Sequence, residues 1–160
     1  MILWNGHRLY PKPFSPVHKA LKFSQVLGVA LFRFIKFDIS NVNDMECMFN
    51  KCYKLKEIKG INIFNTNQVT NMKGMFQECN ELEYLDLTNF DTSKASDMGF
   101  IFNKCHKLKE IKGIDKFNTN QVTNVSTMFK GCNELEYLDL SNFDTSNVMI
   151  WDLCLISVIN

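Results

Sequence analysis

An excess of charge of one sign is missing from this chain. Its 160 residues carry 18 Lys and Arg against 17 Asp and Glu, a net of +1. A sequence-independent nucleic-acid binder draws affinity from cations that displace phosphate counterions, so no nucleic-acid partner is expected. Long apolar runs are missing too. The best of them, Val26 to Ile35, is ten residues and contains Arg33, whereas a membrane-spanning helix needs about 20. As a signal peptide the same run is poor. It starts late, follows Pro11, Pro13 and Pro16, and no small-residue cleavage site comes after it. The motifs of common catalytic sites are also lacking: there is no GxSxG, P-loop, GxGxxG or HExxH. Histidine is limited to His7, His18 and His106. No CxxC pair is present to start a zinc site. No catalytic residue, cofactor site or metal site is therefore assigned, and the expectation is a protein that is not an enzyme.

What is present is one domain's worth of chain with an ordinary apolar share of 46%, too apolar for disorder. Fourteen Phe need burial, and 18 Asn suit turns and left-handed backbone positions. Charge is unevenly spread. Residues 1–36 hold six cations and no acid, while residues 37–160 hold 12 cations and all 17 acids, a net of −5. The chain changes character near residue 36.

Self-comparison finds the organising feature. Phe37, Phe64, Phe90, Phe117 and Phe143 stand 27, 26, 27 and 26 residues apart. Phe64 opens FNTNQVTNMKGMFQECNELEYLDLTN and Phe117 opens FNTNQVTNVSTMFKGCNELEYLDLSN, while the units at Phe37 and Phe90 share FNKC(Y/H)KLKEIKGI. Two unit types thus alternate. Within a unit, Val69, Met72, Met75, Phe76 and Cys79 fall at i, i+3, i+6, i+7 and i+10, which predicts one helix face, capped by Asn65, Thr66 and Asn67. Leu82, Leu85 and Leu87 then read as a short strand with one face inward. The extra residue of the longer unit, at Gly60, suggests a bulge or wider turn. Such a unit buries its apolar face only against a neighbour. The Met columns (Met45, Met72, Met98; Met48, Met75, Met128) are assigned to core packing rather than to an adaptable groove.

The strings FDTSNV, M-x-x-MF-x-x-C and LEYLDLSNFDTSNV resemble the BspA-like leucine-rich repeats of bacterial and protist surface proteins, and the 26-residue repeats of mycoplasma-type lipoproteins. The resemblance covers residues 37–148. It implies an α/β fold: a leucine-rich-repeat-like solenoid of about five 26–27-residue coils, each a short strand plus a short helix. It also implies a non-enzymatic surface protein used for adhesion or protein binding, with a protein or cell-surface ligand of unknown identity. An intracellular binding scaffold is the alternative. Residues 1–36 then read as a basic N-terminal segment capping the first coil, with Phe14, Leu21, Phe23, Val26, Leu27 and Leu31 covering its open end. The other reading of that segment is a basic arm for anionic surfaces. Residues 37–160 are the repeat array, with units starting at 37, 64, 90, 117 and 143, the last incomplete. At its end Trp151, Cys154 and Leu155 keep the apolar slots and Met149, Ile150, Leu153, Ile156 and Val158 add more, so this end is expected to self-associate.

Three further expectations concern side chains. Cys52, Cys79, Cys105 and Cys132 share one slot and are expected to be buried free thiols, since parallel stacking gives poor disulfide geometry. The sequon at Asn124-Val-Ser126 lies inside a predicted helix and is weak support for glycosylation. The aligned units also give charge columns of alternating sign: Lys54, Glu81, Lys107, Glu134; then Lys56, Glu83, Lys109, Glu136; then Lys59, Asp86, Lys112, Asp139; and a fourth of Lys51, Glu78, Lys104, ending at Gly131. Neighbouring coils would oppose unlike charges, and a slip of one coil would oppose like charges along every row. The columns are therefore read as register control.

Overall fold

The computed structural model describes the backbone of residues 31–33, and residues 39 and 42–149. Strands are few and short: β1 (Leu31–Arg33), β2 (Glu57–Lys59), β3 (Tyr84–Asp86) and β4 (Glu110–Lys112). β1 pairs with β2 in parallel, with Leu31 opposite Glu57. β3 pairs with β4 in parallel, with Tyr84 opposite Glu110. Each partner lies 26 residues downstream, so the sequence period is also the pairing offset. Three isolated parallel bridges, Asp44 to Asn71, Asn71 to Asp97 and Asp97 to Asn124, follow the alternating unit lengths of 27, 26 and 27 residues through a second part of each unit. Leu31–Arg33, part of the basic segment, occupies the strand place one unit ahead of β2. The rest of that segment, the capping residues assigned to it other than Leu31, the unit start at Phe37, and the self-associating end at Trp151, Cys154 and Leu155 lie outside the described residues.

The expected solenoid of strand-plus-helix coils is overturned. Among the described residues there is no α-helix, only two 3-10 turns, Ile61–Ile63 and Ile114–Lys116, and the strands form two separate two-stranded sheets. The segment expected to be helical is instead a run of tight turns. Met75 N–H donates to Met72 C=O, Gln77 to Gly74 and Cys79 to Phe76, each at 3.1 Å, all i to i−3. The intervening amides leave the unit. Gly74, Phe76 and Glu78 donate to Gly99, Ile101 and Asn103 at 2.9, 2.9 and 2.8 Å. A helix would keep every one of these donors for its own i−4 carbonyl.

Left-handed residues enforce this alternation. Cys47, Gly74, Phe100 and Thr127 share one column, and Lys51, Glu78, Lys104 and Gly131 another, all with φ between 48° and 82°. Each is the third residue of a four-residue i to i+3 turn such as Met72–Met75 or Phe76–Cys79, the place where a type II turn requires positive φ. The apolar spacing that resembled a helix face, Val69, Met72 and Met75, then Phe76, Cys79, Leu82 and Leu85, has in fact a period of three. It arises because each turn returns the chain inward after three residues.

The core is built from columns, one residue per unit. Phe49, Phe76, Phe102 and Phe129 are fully buried and stack with centroids 5.4, 5.8 and 5.5 Å apart and interplanar angles of 6°, 3° and 13°. Leu55, Leu82, Leu108 and Leu135 form a second buried column, and Ile58, Leu85 and Ile111 a third. A polar column is buried as well: Thr66, Thr92 and Thr119 are at most 2% exposed. Thr92 Oγ1 donates to Asn118 C=O at 3.0 Å and accepts the Asn118 N–H at 2.8 Å, and Thr66 does the same with Asp91. Thr92→Val keeps the shape but strands both groups of Asn118, so it is expected to cost about 1–3 kcal/mol. The urea midpoint reads this. Thr92→Ser, which keeps the hydroxyl, should cost less, and equal losses for the two would contradict the hydroxyl's role.

Candidate functional site

The charge columns lie beside buried Leu55 and Ile58 and their equivalents, on side chains that stay exposed or half-exposed. Their pairing is concentrated between the second and third units. Lys104 reaches Glu78 at 3.6 Å, Lys107 reaches Glu81 at 2.8 Å and Lys109 reaches Glu83 at 3.8 Å. Lys109 also approaches Glu134 of the fourth unit, in a different column, at 3.9 Å. The other junctions close differently. Lys59 turns to Glu57 of its own strand at 3.8 Å, not to Asp86. Asp86 and Lys112 are partners in strand register, but Asp86 accepts hydrogen bonds from Thr88 N–H and Oγ1 at 3.2 and 2.7 Å. Asp139 accepts the Ser141 N–H at 2.9 Å. Among the described residues, Lys54, Lys56, Lys112 and Glu136 close no ion pair.

The length alternation accounts for part of this. Ladders form where a 26-residue unit, or its equivalent upstream, precedes a 27-residue unit, as in β1–β2 and β3–β4. In the reverse order no ladder forms, and β2 is tied to the third strand's approach by one bond, Glu83 N–H to Lys56 C=O at 3.2 Å. The extra residues Gly60 and Gly113 are left-handed at φ 81° and 86°.

Several groups have shifted acidity. The ion pair with Lys107 holds Glu81 below the usual carboxylate range. Hydrogen bonds from Ser93, Ser141 and Ser146 lower Asp91, Asp139 and Asp144. Asp86 is pushed up by partial burial, but the Thr88 bonds outweigh this and leave it lowered. Burial pushes the Cys79 and Cys105 thiols well up. Depressed carboxylates stabilise the fold above their unfolded pKa, and that contribution is lost as pH falls through the folded value. Raised thiols act in the opposite sense, and their contribution is lost as pH climbs past the unfolded thiol value. The thermal midpoint should therefore be level between about pH 5 and 8 and fall on both sides. A midpoint still rising as pH drops from 5 to 3 would contradict the acid arm.

The cysteine column consists of thiols that bond to backbone. Cys79 Sγ donates to Phe49 C=O at 3.2 Å, Cys105 to Phe76 and Cys132 to Phe102, each at 3.1 Å. Cys47, Cys52, Cys79, Cys105 and Cys132 form no disulfide, and the last four are buried. His106 is half-buried and places Nδ1 2.9 Å from Gly131 C=O of the next unit. Tyr53, in the same column, donates to Glu78 Oε2 at 3.3 Å. That column's bridging role was not read from the sequence. The sequon is closed: Asn124 is 9% exposed, and its Nδ2 donates to Asp97 Oδ1 at 3.0 Å. Among the described residues no group of three or more His, Cys, Asp or Glu could hold a metal ion, and no helix is long and apolar enough to cross a membrane.

A family model described as "Mycoplasma protein of unknown function, DUF285" matches residues 20–112 and, again, 85–152. The match begins well ahead of Phe37, as does the strand pairing of Leu31–Arg33. No curated protein matches, and no solved structure does.

Proposed function

The chain belongs to the Mycoplasma family of unknown function DUF285, and from that premise we propose that it is a non-enzymatic protein-interaction repeat module of the adhesion type, displayed at a cell surface. The observation that carries this reading is the ordered charged face. Cations and acids are spread one column position per unit along the stack, with Tyr53 and Tyr137 exposed beside them at 43% and 75%. They do not converge on one point, as the groups of an active site must. Exposed tyrosine is enriched at protein-recognition surfaces, and charged side chains suit the polar rim around it. Saturable binding of the purified chain to intact host cells, weakened by salt, is the expected result. No saturable binding would contradict it. An intracellular scaffold is the second reading, favoured by the lack of disulfides among the described cysteines. Protease treatment of intact source cells separates the two, because only a surface-displayed chain is cut.

Within this module the ion pairs that the columns close between the second and third units set register. Glu83 contacts Lys109 and stands in column with Lys56. Glu83→Lys is expected to cost roughly 0.5–1 kcal/mol at low salt. Most of that loss should vanish at 1 M salt, where the Debye length is about 3 Å. Glu83→Gln should cost less. A salt-independent loss would remove the electrostatic role.

A further inference from the structure

The charged face is banded. Segment 51–59 carries four lysines and one glutamate; segment 78–86 carries four acids and no cation; segment 104–112 repeats the first composition; segment 131–139 carries three acids and no cation. The bands therefore run +3, −4, +3, −3 along the stack. Two copies of one chain that meet face to face through a two-fold axis must have that axis in the plane of contact. If the axis runs along the stack, each band meets its own copy and every contact is repulsive. If it runs across the stack, the first band meets the fourth and the second meets the third, so every band meets its opposite. An even number of alternating bands makes the face self-complementary in the antiparallel sense alone.

The internal pairing favours the same arrangement. The second and third bands already neutralise one another through Glu78–Lys104, Glu81–Lys107 and Glu83–Lys109. The first band keeps Lys54 and Lys56, and the fourth keeps Glu136, without an ion pair among the described residues. These are the charges that an antiparallel mate would bring together. We propose that the occupant of this face is a second copy of the chain, docked antiparallel, the first band of each copy on the fourth band of the other. This names a partner for the interaction module proposed above and rests on that reading. Four units about 4.8 Å apart, each with a strand of at most three residues preceded by turns, give a small face, and such a contact lies at the weak, reversible end of specific interfaces. Copies anchored side by side on a surface would gain from effective concentration.

Sedimentation equilibrium from micromolar to sub-millimolar concentration tests this. A monomer–dimer equilibrium is expected, at least tenfold weaker in 0.5 M than in 0.02 M salt, because the Debye length shrinks from about 20 Å to about 4 Å. Carbodiimide coupling of an isotopically mixed sample should join Lys56 to Glu136 between copies, a pair three units apart within one chain. Lys54→Gln with Lys56→Gln removes two lysines that hold no ion pair, so folding should be kept while dimerisation falls at least tenfold. Three results would overturn the inference: a monomer throughout at low salt, a salt-insensitive dimer, or coupling between like-numbered units only. A monomer that still binds host cells rejects this inference and leaves the interaction module standing. A dimer that binds no cells keeps the antiparallel pairing and removes the adhesion reading.

Discussion

Phe102→Ala is expected to lose about 3–5 kcal/mol, the cost of opening a large cavity in a core that cannot collapse. Phe102 is fully buried between Phe76 and Phe129, nearly parallel to both at 5.8 and 5.5 Å. Two aromatic contacts, each worth about 0.5–1.5 kcal/mol, vanish with the ring. Relaxation is hindered because the backbone is tied on both sides: Phe102 N–H donates to Met128 C=O at 3.1 Å, and Phe102 C=O accepts the Cys132 thiol at 3.1 Å. Against a usual total stability of about 5–15 kcal/mol, the variant should be largely unfolded at moderate temperature. Phe102→Leu should be milder, with a loss of about 1–2 kcal/mol. Urea titration followed by circular dichroism separates the two. A loss below about 1 kcal/mol for Phe102→Ala would mean that the ring does not fill a core.

Gly113→Ala should be nearly as damaging, for a different reason. Gly113 has φ +86°, and an added Cβ would stand 2.6 and 2.7 Å from Thr88 Cα and N and 2.9 Å from Leu87 C. These are backbone atoms of the preceding unit, held by the β3–β4 ladder, so they cannot yield by a rotamer change. The left-handed conformation costs about 1–2 kcal/mol for alanine and the overpacking about 1–3 more. Gly131→Ala is the control. Its φ is +82°, but the nearest atom to a Cβ is Lys104 Cα at 3.3 Å, and Lys51, Glu78 and Lys104 occupy the same column with positive φ. It should cost roughly 1 kcal/mol. Equal losses at the two glycines would contradict the close approach of the third unit to Thr88.

The columns were legible in the sequence because repetition displays them. Phe49, Phe76, Phe102 and Phe129, the cysteine slot and the alternating signs follow from alignment alone. The helix was misread because Val69, Met72 and Met75 suit a three-residue turn as well as one face of a helix. The correcting signal was nonetheless present. Gly74 and Gly131 fall in the interior of the expected helix, in columns shared with Cys47, Phe100 and Thr127 or with Lys51, Glu78 and Lys104, and all of these have φ > 0. A glycine that exchanges with such different side chains marks a backbone requirement, not a side-chain one. The upstream strand was legible too. Leu31 precedes Phe37 by six residues, as Tyr84 precedes Phe90. Which charges close was not legible, because the sign of a column leaves open whether Lys109 reaches Glu83 or Glu134, and Asp86 is taken by its own Thr88.

The central claim is that alternate amides in each turn segment belong to the neighbouring unit. Couplings across hydrogen bonds in a nitrogen-15 and carbon-13 labelled sample test it most directly. Gly74, Phe76 and Glu78 amides should couple to the carbonyls of Gly99, Ile101 and Asn103, and Phe102 to Met128, while Met75, Gln77 and Cys79 couple three residues back. Couplings from consecutive amides to carbonyls four residues back, the helical pattern, would contradict the account.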